Sequence, residues 1–213
     1  MRKNITVKKS TGHYRKNAKK SPVSGQLILL FVLIALVVFV AVFSEDALLS
    51  AEQKAYPQKY SLYVNKYAEK YEVPQYMIYA VIRTESGFDS SAVSAVGAVG
   101  LMQLMPDTFR WISDDLLGER LASAMVYDPE TNIRYGTYLL KRLYDRYGDW
   151  NAALAAYNAG PGRVDNWLKD AQYTDSSGLL IPEQIPIAET RNYVNKVQNT
   201  AQVYTRLYPK LSK

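Results

Sequence analysis

The sequence contains no cysteine and a single histidine, His13, which lies in its basic N-terminal segment. The absence of cysteine excludes disulfide bonds, a thiolate nucleophile, a lipid-modified cysteine and thiolate metal sites. With its one histidine outside the main body of the chain, the protein can build neither a Ser-His-Asp triad nor a histidine-based zinc site. Carboxylates, hydroxyls and amides remain as the available catalytic groups. None of these absences fixes the cellular compartment.

Negative charge is absent from the first 44 residues. Of the 26 Lys and Arg and 20 Asp and Glu, eight basic and no acidic side chains lie there, which leaves 18 basic and 20 acidic residues beyond. The formal net charge of +6 therefore belongs to the N-terminal segment. A nucleic-acid-binding domain needs a basic surface on its folded part. The charge distribution predicts a disordered basic tail over residues 1–24 and no nucleic-acid partner.

An uncharged, apolar segment follows the tail. Residues 27–43 are 17 consecutive apolar residues, and no charge occurs over 25–44. About 20 such residues span the hydrocarbon core of a bilayer. With basic residues before the segment and Glu45-Asp46 after it, the positive-inside rule predicts a single-pass transmembrane helix over 25–44, a cytoplasmic N-terminus and an extracytoplasmic remainder. A cleaved signal peptide is the alternative, but its basic and apolar regions would both be unusually long.

The remaining chain reads as a polar linker over 45–56 and one mainly helical domain over 57–213. Proline and aspartate mark the predicted helix starts, because both suit the first turn of a helix. No alternating apolar pattern is long enough for a sheet, although the small residues of 87–99 form a loop that can include a short hairpin. Two helices are predicted to start at Pro57 and at Pro106. Five others are predicted over 74–85, 129–147, 150–159, 163–169 and 187–208.

Glu85 is a carboxylate on the apolar face of the helix predicted over 74–85. Ile78, Val81 and Ile82 have the spacing of a buried stripe, and Glu85 continues that stripe one turn later. Burial and the negative end of the helix dipole both raise the pKa of a carboxyl group. A carboxylic acid protonated near neutral pH is what general-acid catalysis requires. The alternative is an interfacial Glu that reaches water or pairs with an arginine.

Several short motifs are informative only when their order along the chain is considered. Taken singly, each is typical of loop glycines, core residues or a helix stop. Together they resemble the soluble lytic transglycosylase (SLT) family over about residues 65–205. The motifs are ES at 85–86, GLMQ at 100–103, MP at 105–106, DPETNI at 128–133, AYNAGP at 156–161, and PIAETRNYV at 186–194.

The resemblance implies a mainly α fold of the lysozyme-like α+β superfamily, close to goose-type lysozyme: a single compact helical domain with a cleft. It also implies cleavage of the β-1,4 bond between N-acetylmuramic acid and N-acetylglucosamine in peptidoglycan strands. In that chemistry Glu85 acts first as acid and then as base. The C6 hydroxyl of muramic acid closes a 1,6-anhydro ring, and neither water, metal nor organic cofactor takes part.

The resemblance also assigns substrate-binding roles by match to the family's motifs. Glu85 matches the catalytic acid. Asp89 and Asp107 are the nearest other acids in sequence, and neither matches a second catalytic group. Glu189 has the alternative interpretation of a salt-bridge partner. The residues implied to contact substrate or line its cleft are Ser94, Gly97, Gly100, Gln103, Met105, Tyr157, Asn158, Glu189 and Tyr193.

Two other functions fit the same sequence less well. A hydrolytic muramidase of this fold would need a group that positions water opposite Glu85, and the sequence offers no clear candidate. A non-catalytic glycan-binding scaffold of an envelope complex would not need Glu85 together with all the surrounding motifs. The sequence therefore favours a membrane-anchored lytic transglycosylase acting outside the cytoplasmic membrane.

Overall fold

The computed structural model describes the backbone of residues 23–212 and the side chains of 25–40 and 47–211. The described side chains do not include the basic tail predicted over 1–24 or residues 41–44 of the predicted anchor. The chain divides into two units, residues 1–50 and 51–213.

The fold is mainly helical, as predicted. Three isolated antiparallel bridges are the only β-structure within residues 23–212. Short 3₁₀ turns occur at Ser123–Tyr127, Pro182–Gln184 and Pro209–Ser212. The α-helices are α1 (Val23–Ala55), α2 (Ser61–Tyr71), α3 (Gln75–Glu85), α4 (Pro106–Arg110, continued by π-helical turns over Trp111–Leu116), α5 (Pro129–Tyr147), α6 (Trp150–Ala159), α7 (Pro161–Trp167) and α8 (Ala188–Leu207).

Side-chain caps set the starts of two helices where the sequence predicts them. The carboxylate of Asp128 accepts a hydrogen bond from the backbone N–H of Thr131 at 2.9 Å, at the start of α5. That of Asp149 accepts one from Ala152 N–H at 2.9 Å, at the start of α6. Each bond satisfies a donor that would otherwise lack an intrahelical partner.

Other predicted boundaries are displaced. The helix expected to open at Pro57 begins at Ser61, because Tyr60 has φ = 60°, which a right-handed helix cannot include. The helix predicted over 163–169 begins earlier, with Pro161 in its first turn. Residues 47–55 of the predicted linker continue α1 as helix.

The short hairpin considered for 87–99 is present and extends further. Val99 pairs with Val93 on one side and with Leu104 on the other. These bridges fold the Gly97–Leu104 loop back on itself between α3 and α4.

The core of the domain forms where α3 packs along α8 and α5 packs along α6. Met102 carries the Gly97–Leu104 loop into this core and is fully buried. It packs against the face of α5 that carries Gly136. A Cβ atom at Gly136 would lie 2.4 Å from Met102 Sδ and 2.7 Å from its Cβ. The absence of a side chain at 136 therefore lets the loop approach α5.

Among the side chains of residues 25–40 and 47–211, no helix is both long and apolar enough to cross a membrane. The anchor over 25–44 stays a prediction.

Gly136→Ala is expected to lower the free energy of unfolding by about 1–3 kcal/mol, because Met102 must shift in a closely packed core. Chemical denaturation followed by near-UV circular dichroism measures the change. Gly162→Ala is the matched control, since a Cβ there meets nothing within 4 Å. We expect it to be neutral or stabilising by up to about 1 kcal/mol. Equal stabilities of the two variants would contradict the packing argument.

Candidate active site

Glu85 occupies the last turn of α3, at the end of the apolar stripe that predicts it. Ile78, Val81 and Ile82 are fully buried, which confirms that stripe. Burial raises the pKa of the Glu85 carboxyl from 4.5 to about 7, while the hydroxyl of Tyr193 and the charge of Lys196 act in the opposite direction. The burial effect is the largest, so Glu85 can hold a proton near neutral pH.

Two tyrosines flank this carboxyl. The Tyr157 hydroxyl donates a hydrogen bond to the carbonyl oxygen of Met102 at 2.8 Å. Burial, and then the charge of Glu85, raise the pKa of both the Tyr157 and Tyr193 phenols well above the ordinary value. Both remain neutral beside Glu85, so they can act as hydrogen-bond donors and not as bases.

The Tyr193 hydroxyl is buried and makes no hydrogen bond of normal geometry within the described part of the chain. It is nevertheless close enough to Glu85 to lower the pKa of that carboxyl. A buried donor without a partner costs free energy, so this hydroxyl is available to a group that enters the site.

Asn132, on α5, holds the Gly97–Leu104 loop in place. Its fully buried side-chain amide donates to the carbonyl oxygens of Val99 at 3.0 Å and Val126 at 2.8 Å. Its amide oxygen accepts from the N–H of Met102 at 2.8 Å. The run DPETNI at 128–133 resembles the SLT family, but that resemblance assigns no role to Asn132.

Gly100 lies against this amide. It has φ = +79°, and a Cβ atom there would lie 2.4 Å from the Nδ2 atom of Asn132. Packing against Asn132 therefore requires a glycine at 100, whether or not this residue also contacts a substrate in the cleft. Gly97 has φ = +86° with open space around it, so backbone conformation alone favours glycine there.

The polar groups of Ser94 and Gln103 also stabilise the loop. Ser94 Oγ accepts from the N–H of Ala98 at 3.0 Å. The side-chain amide of Gln103, a residue with φ = 48°, donates to the carbonyl oxygens of Ala92 at 3.1 Å and Gly100 at 2.9 Å. Substrate contacts by either residue stay predictions.

The other predicted site residues lie at the surface. Met105 is 41% exposed, at the start of α4. Asn158 is exposed, and its Oδ1 accepts a hydrogen bond from Thr190 at 2.7 Å, which ties α6 to α8. Glu189 is exposed and forms no ion pair with any described residue, so the salt bridge considered for it is absent.

The structure therefore brings Glu85, Tyr157 and Tyr193 together, and it places Ser94 and Gly97 in the hairpin of the loop. A cavity of about 260 Å³ adjoins Tyr157 and is also lined by Trp111 and Arg142. Within the described residues, no group of three or more His, Asp or Glu side chains could hold a metal ion.

Comparison with known proteins identifies the family of the chain. Residues 62–179 match the family described as the transglycosylase SLT domain. The chain belongs to this family. It is 36% identical over 147 residues to the soluble lytic murein transglycosylase of Escherichia coli K12, a match that covers 68% of this chain and 23% of that protein. It is 32% identical over 169 residues to the membrane-bound lytic murein transglycosylase C of Serratia proteamaculans, with 70% and 47% covered.

Solved structures of SLT proteins share the fold. The 70-kDa soluble lytic transglycosylase of E. coli superimposes with a TM-score of 0.67 at 34% identity, over 76% of this chain and 27% of that one. An inactive Glu-to-Gln mutant of the lytic transglycosylase Slt from Pseudomonas aeruginosa gives 0.64 at 36% identity, over 71% and 24%. The SLT domain described here thus has the lysozyme-like fold and corresponds to about a quarter of these larger proteins.

The raised pKa of Glu85 predicts a pH-dependent effect of Glu85→Gln on stability. A carboxyl whose pKa rises from 4.5 to about 7 on folding contributes stability that is present below about pH 4.5 and lost as the pH passes through 7. The variant lacks this dependence. Its stability relative to the wild type should therefore increase between those values by on the order of 3 kcal/mol.

Chemical denaturation at a series of pH values measures the difference. Glu183→Gln, at an exposed position with no side-chain hydrogen bond or ion pair to a described residue, is the matched control and should show a flat difference. A flat difference for Glu85→Gln as well would contradict the raised pKa.

Proposed function

We propose that this SLT domain is a peptidoglycan lytic transglycosylase with Glu85 as its single acid and base. The observation that carries the proposal is the burial of the Glu85 carboxyl beside Tyr157 and Tyr193, which raises its pKa to about 7. Near neutral pH, a group with that pKa can donate a proton and later accept one. A single residue can therefore serve as both acid and base.

The proposed reaction needs no water. The Glu85 carboxyl gives its proton to the oxygen of the β-1,4 bond, the bond from that oxygen to C1 of N-acetylmuramic acid breaks, and the N-acetyl oxygen stabilises the positive C1. The Glu85 carboxylate then takes the proton of the C6 hydroxyl while O6 bonds to C1. Attack within one sugar gains from the high effective concentration of a held group.

The electrostatic surroundings of Glu85 support a single-carboxylate mechanism. The groups that act on its pKa, besides burial, are a phenol and a lysine, and no second carboxylate is among them. A glycosidase that uses two carboxylates would place both beside the bond. We assign Tyr193 as a donor to the substrate or to Glu85. The Tyr157 hydroxyl donates its one proton to Met102, so we propose that its oxygen accepts beside Glu85.

The remaining binding residues are proposed to line the cleft from the loop and from the helices α6 and α8. Their polar groups and the exposed Met105 would position the sugars on either side of the bond. They are Ser94, Gly97, Gly100, Gln103, Met105, Asn158 and Glu189.

The named relatives support the substrate and the acid. Those from E. coli and S. proteamaculans are called murein transglycosylases, and the P. aeruginosa structure is an inactive mutant with one Glu changed to Gln. Loss of activity on losing one carboxyl is expected when a single acid carries the reaction.

Digestion of purified peptidoglycan by the full chain in detergent tests the proposal. Mass spectrometry should find 1,6-anhydro products, lighter than hydrolysis products by one water. Glu85→Gln should abolish them, whereas Glu183→Gln should retain them. Products with reducing ends would replace the proposal with a muramidase, and activity that survives Glu85→Gln would overturn the assigned acid.

We also propose that residues 25–44 anchor the domain in the cell membrane, with the N-terminus in the cytoplasm. The side chains described over 25–40 are all exposed, and an apolar surface of that extent is unfavourable in water. The basic residues before this segment favour the orientation. A membrane-bound relative is consistent with membrane attachment.

Extraction of membranes with alkaline carbonate tests the anchor. The full chain should stay in the pellet, because about 20 apolar residues hold it in the bilayer. The double variant Leu33→Arg/Val37→Arg should be released, since charge in the bilayer centre is costly. Release of the unmodified chain, or an intact mass lacking its first 44 residues, would contradict a retained anchor.

A further inference from the structure

A cavity of about 360 Å³ lies where the first turns of α2 and α3 meet the C-terminal 3₁₀ turn. Its volume is within the range of small-ligand sites, and nothing in the proposed reaction uses it. Gln75 begins α3 and Glu85 ends it. The cavity therefore lies at the opposite end of this helix from the proposed acid, about 15 Å away along the helix axis.

Uncharged polar side chains from three segments of the chain meet at this cavity, namely Gln58, Ser61, Asn65 and Gln75. None of these side chains forms a hydrogen bond with another described residue. Asparagine is a weak helix former, because its amide competes with the backbone for hydrogen bonds, and lysine or glutamate would suit an exposed helix position better. Helix stability therefore does not explain Asn65 in the middle of α2.

An aromatic side chain of fixed orientation lines the same cavity. The hydroxyl of half-buried Tyr208 donates a hydrogen bond to the carbonyl oxygen of Tyr56 at 2.9 Å, and its ring stacks on that of Tyr204 with the centroids 6.0 Å apart. Pro209 and buried Leu211 extend the apolar part of the lining. An immobile apolar surface beside amide groups suits a sugar, which has an apolar ring face and polar substituents.

The cavity adjoins a second one of about 620 Å³, because Asn65 and Gln75 line both. Among the described residues, the charged ones that line the first cavity and the second are Lys210 and the pair Glu69 and Glu72, respectively. Charges of opposite sign in adjoining cavities favour neither an anionic nor a cationic ligand. An uncharged polymer that crosses both cavities fits them better.

We propose that these two cavities, which we call the amide groove, form a second binding site for the glycan strand. In it Asn65 and Gln75 bond the N-acetyl and hydroxyl groups of the sugars, while Tyr208 packs against a sugar ring. The inference rests on the proposed function, because its ligand is the strand that is cleaved at Glu85. A strand held at Glu85 presents its further sugars at a high effective concentration, so even a weak second site raises the affinity for long strands.

Glycan strands of two lengths, freed of their peptides by an amidase, test the inference with the full chain in detergent. Strands of four sugars, two on either side of the cleaved bond, are too short to reach from Glu85 to the amide groove, whereas long strands reach both. Asn65→Ala/Gln75→Ala should raise KM for long strands by about three- to tenfold, as expected for the loss of two solvent-accessible hydrogen bonds. It should leave kcat for long strands, and both constants for short strands, unchanged.

Two further variants sharpen the result. Asn65→Arg keeps α2 helical, since arginine is the better helix former. Its long side chain would occupy the amide groove, so this variant should raise KM for long strands as the double variant does. Gln202→Ala is the matched control. It removes an exposed amide of α8 that lies outside the amide groove and has no hydrogen bond to a described residue, and it should leave every constant unchanged.

The outcomes separate the two proposals. Cleavage of neither substrate overturns the proposed function and the inference with it. Cleavage of both with a KM for long strands that the groove variants leave intact overturns the inference alone. A KM that rises equally for short and long strands also overturns it, because the effect then acts on the cleft. A rise confined to long strands supports glycan binding in the amide groove.

Discussion

Partial burial of one carboxyl group, that of Glu85, is the constraint on which the site depends. The stripe of α3 that ends at Glu85 packs against α8, and removal from water raises the pKa of this group to about 7. The groups that face it from the sides are phenols, which stay neutral. The same packing that stabilises the domain therefore also sets the protonation state of its proposed acid, so core substitutions in α3 or α8 would change both.

The conformation of the Gly97–Leu104 loop depends on hydrogen bonds to α5 and on close packing against it. Asn132 bonds two buried carbonyl oxygens and one buried N–H of the backbone, those of Val99, Val126 and Met102. Gly100 and Gly136 leave room for Asn132 and Met102 respectively. Loop and helix fit each other, which allows an irregular segment to lie rigidly beside the site.

Sequence patterns predicted the features that depend on neighbours in the chain. The caps at Asp128 and Asp149 and the burial stripe before Glu85 are local, and the structure confirms them. The predicted start of α2 was wrong because Tyr60 adopts a left-handed conformation, which composition does not indicate. The bonding role of Asn132 was not predicted because its partners are backbone groups at residues 99, 102 and 126. The cavity at the start of α3 depends on how three segments that are distant in sequence pack together.

The first and last segments of the domain are joined. Tyr204 donates to the carbonyl oxygen of Pro57 at 3.0 Å, Tyr208 donates to that of Tyr56 at 2.9 Å, and Arg206 pairs with Glu52. A fragment that begins at residue 57 would leave Arg206 and Tyr208 without these partners and remove the ring on which Arg83 stacks. A fragment that keeps these contacts must therefore include Glu52 and Tyr56, which lie within the segment 45–56 that sequence composition predicts as a linker.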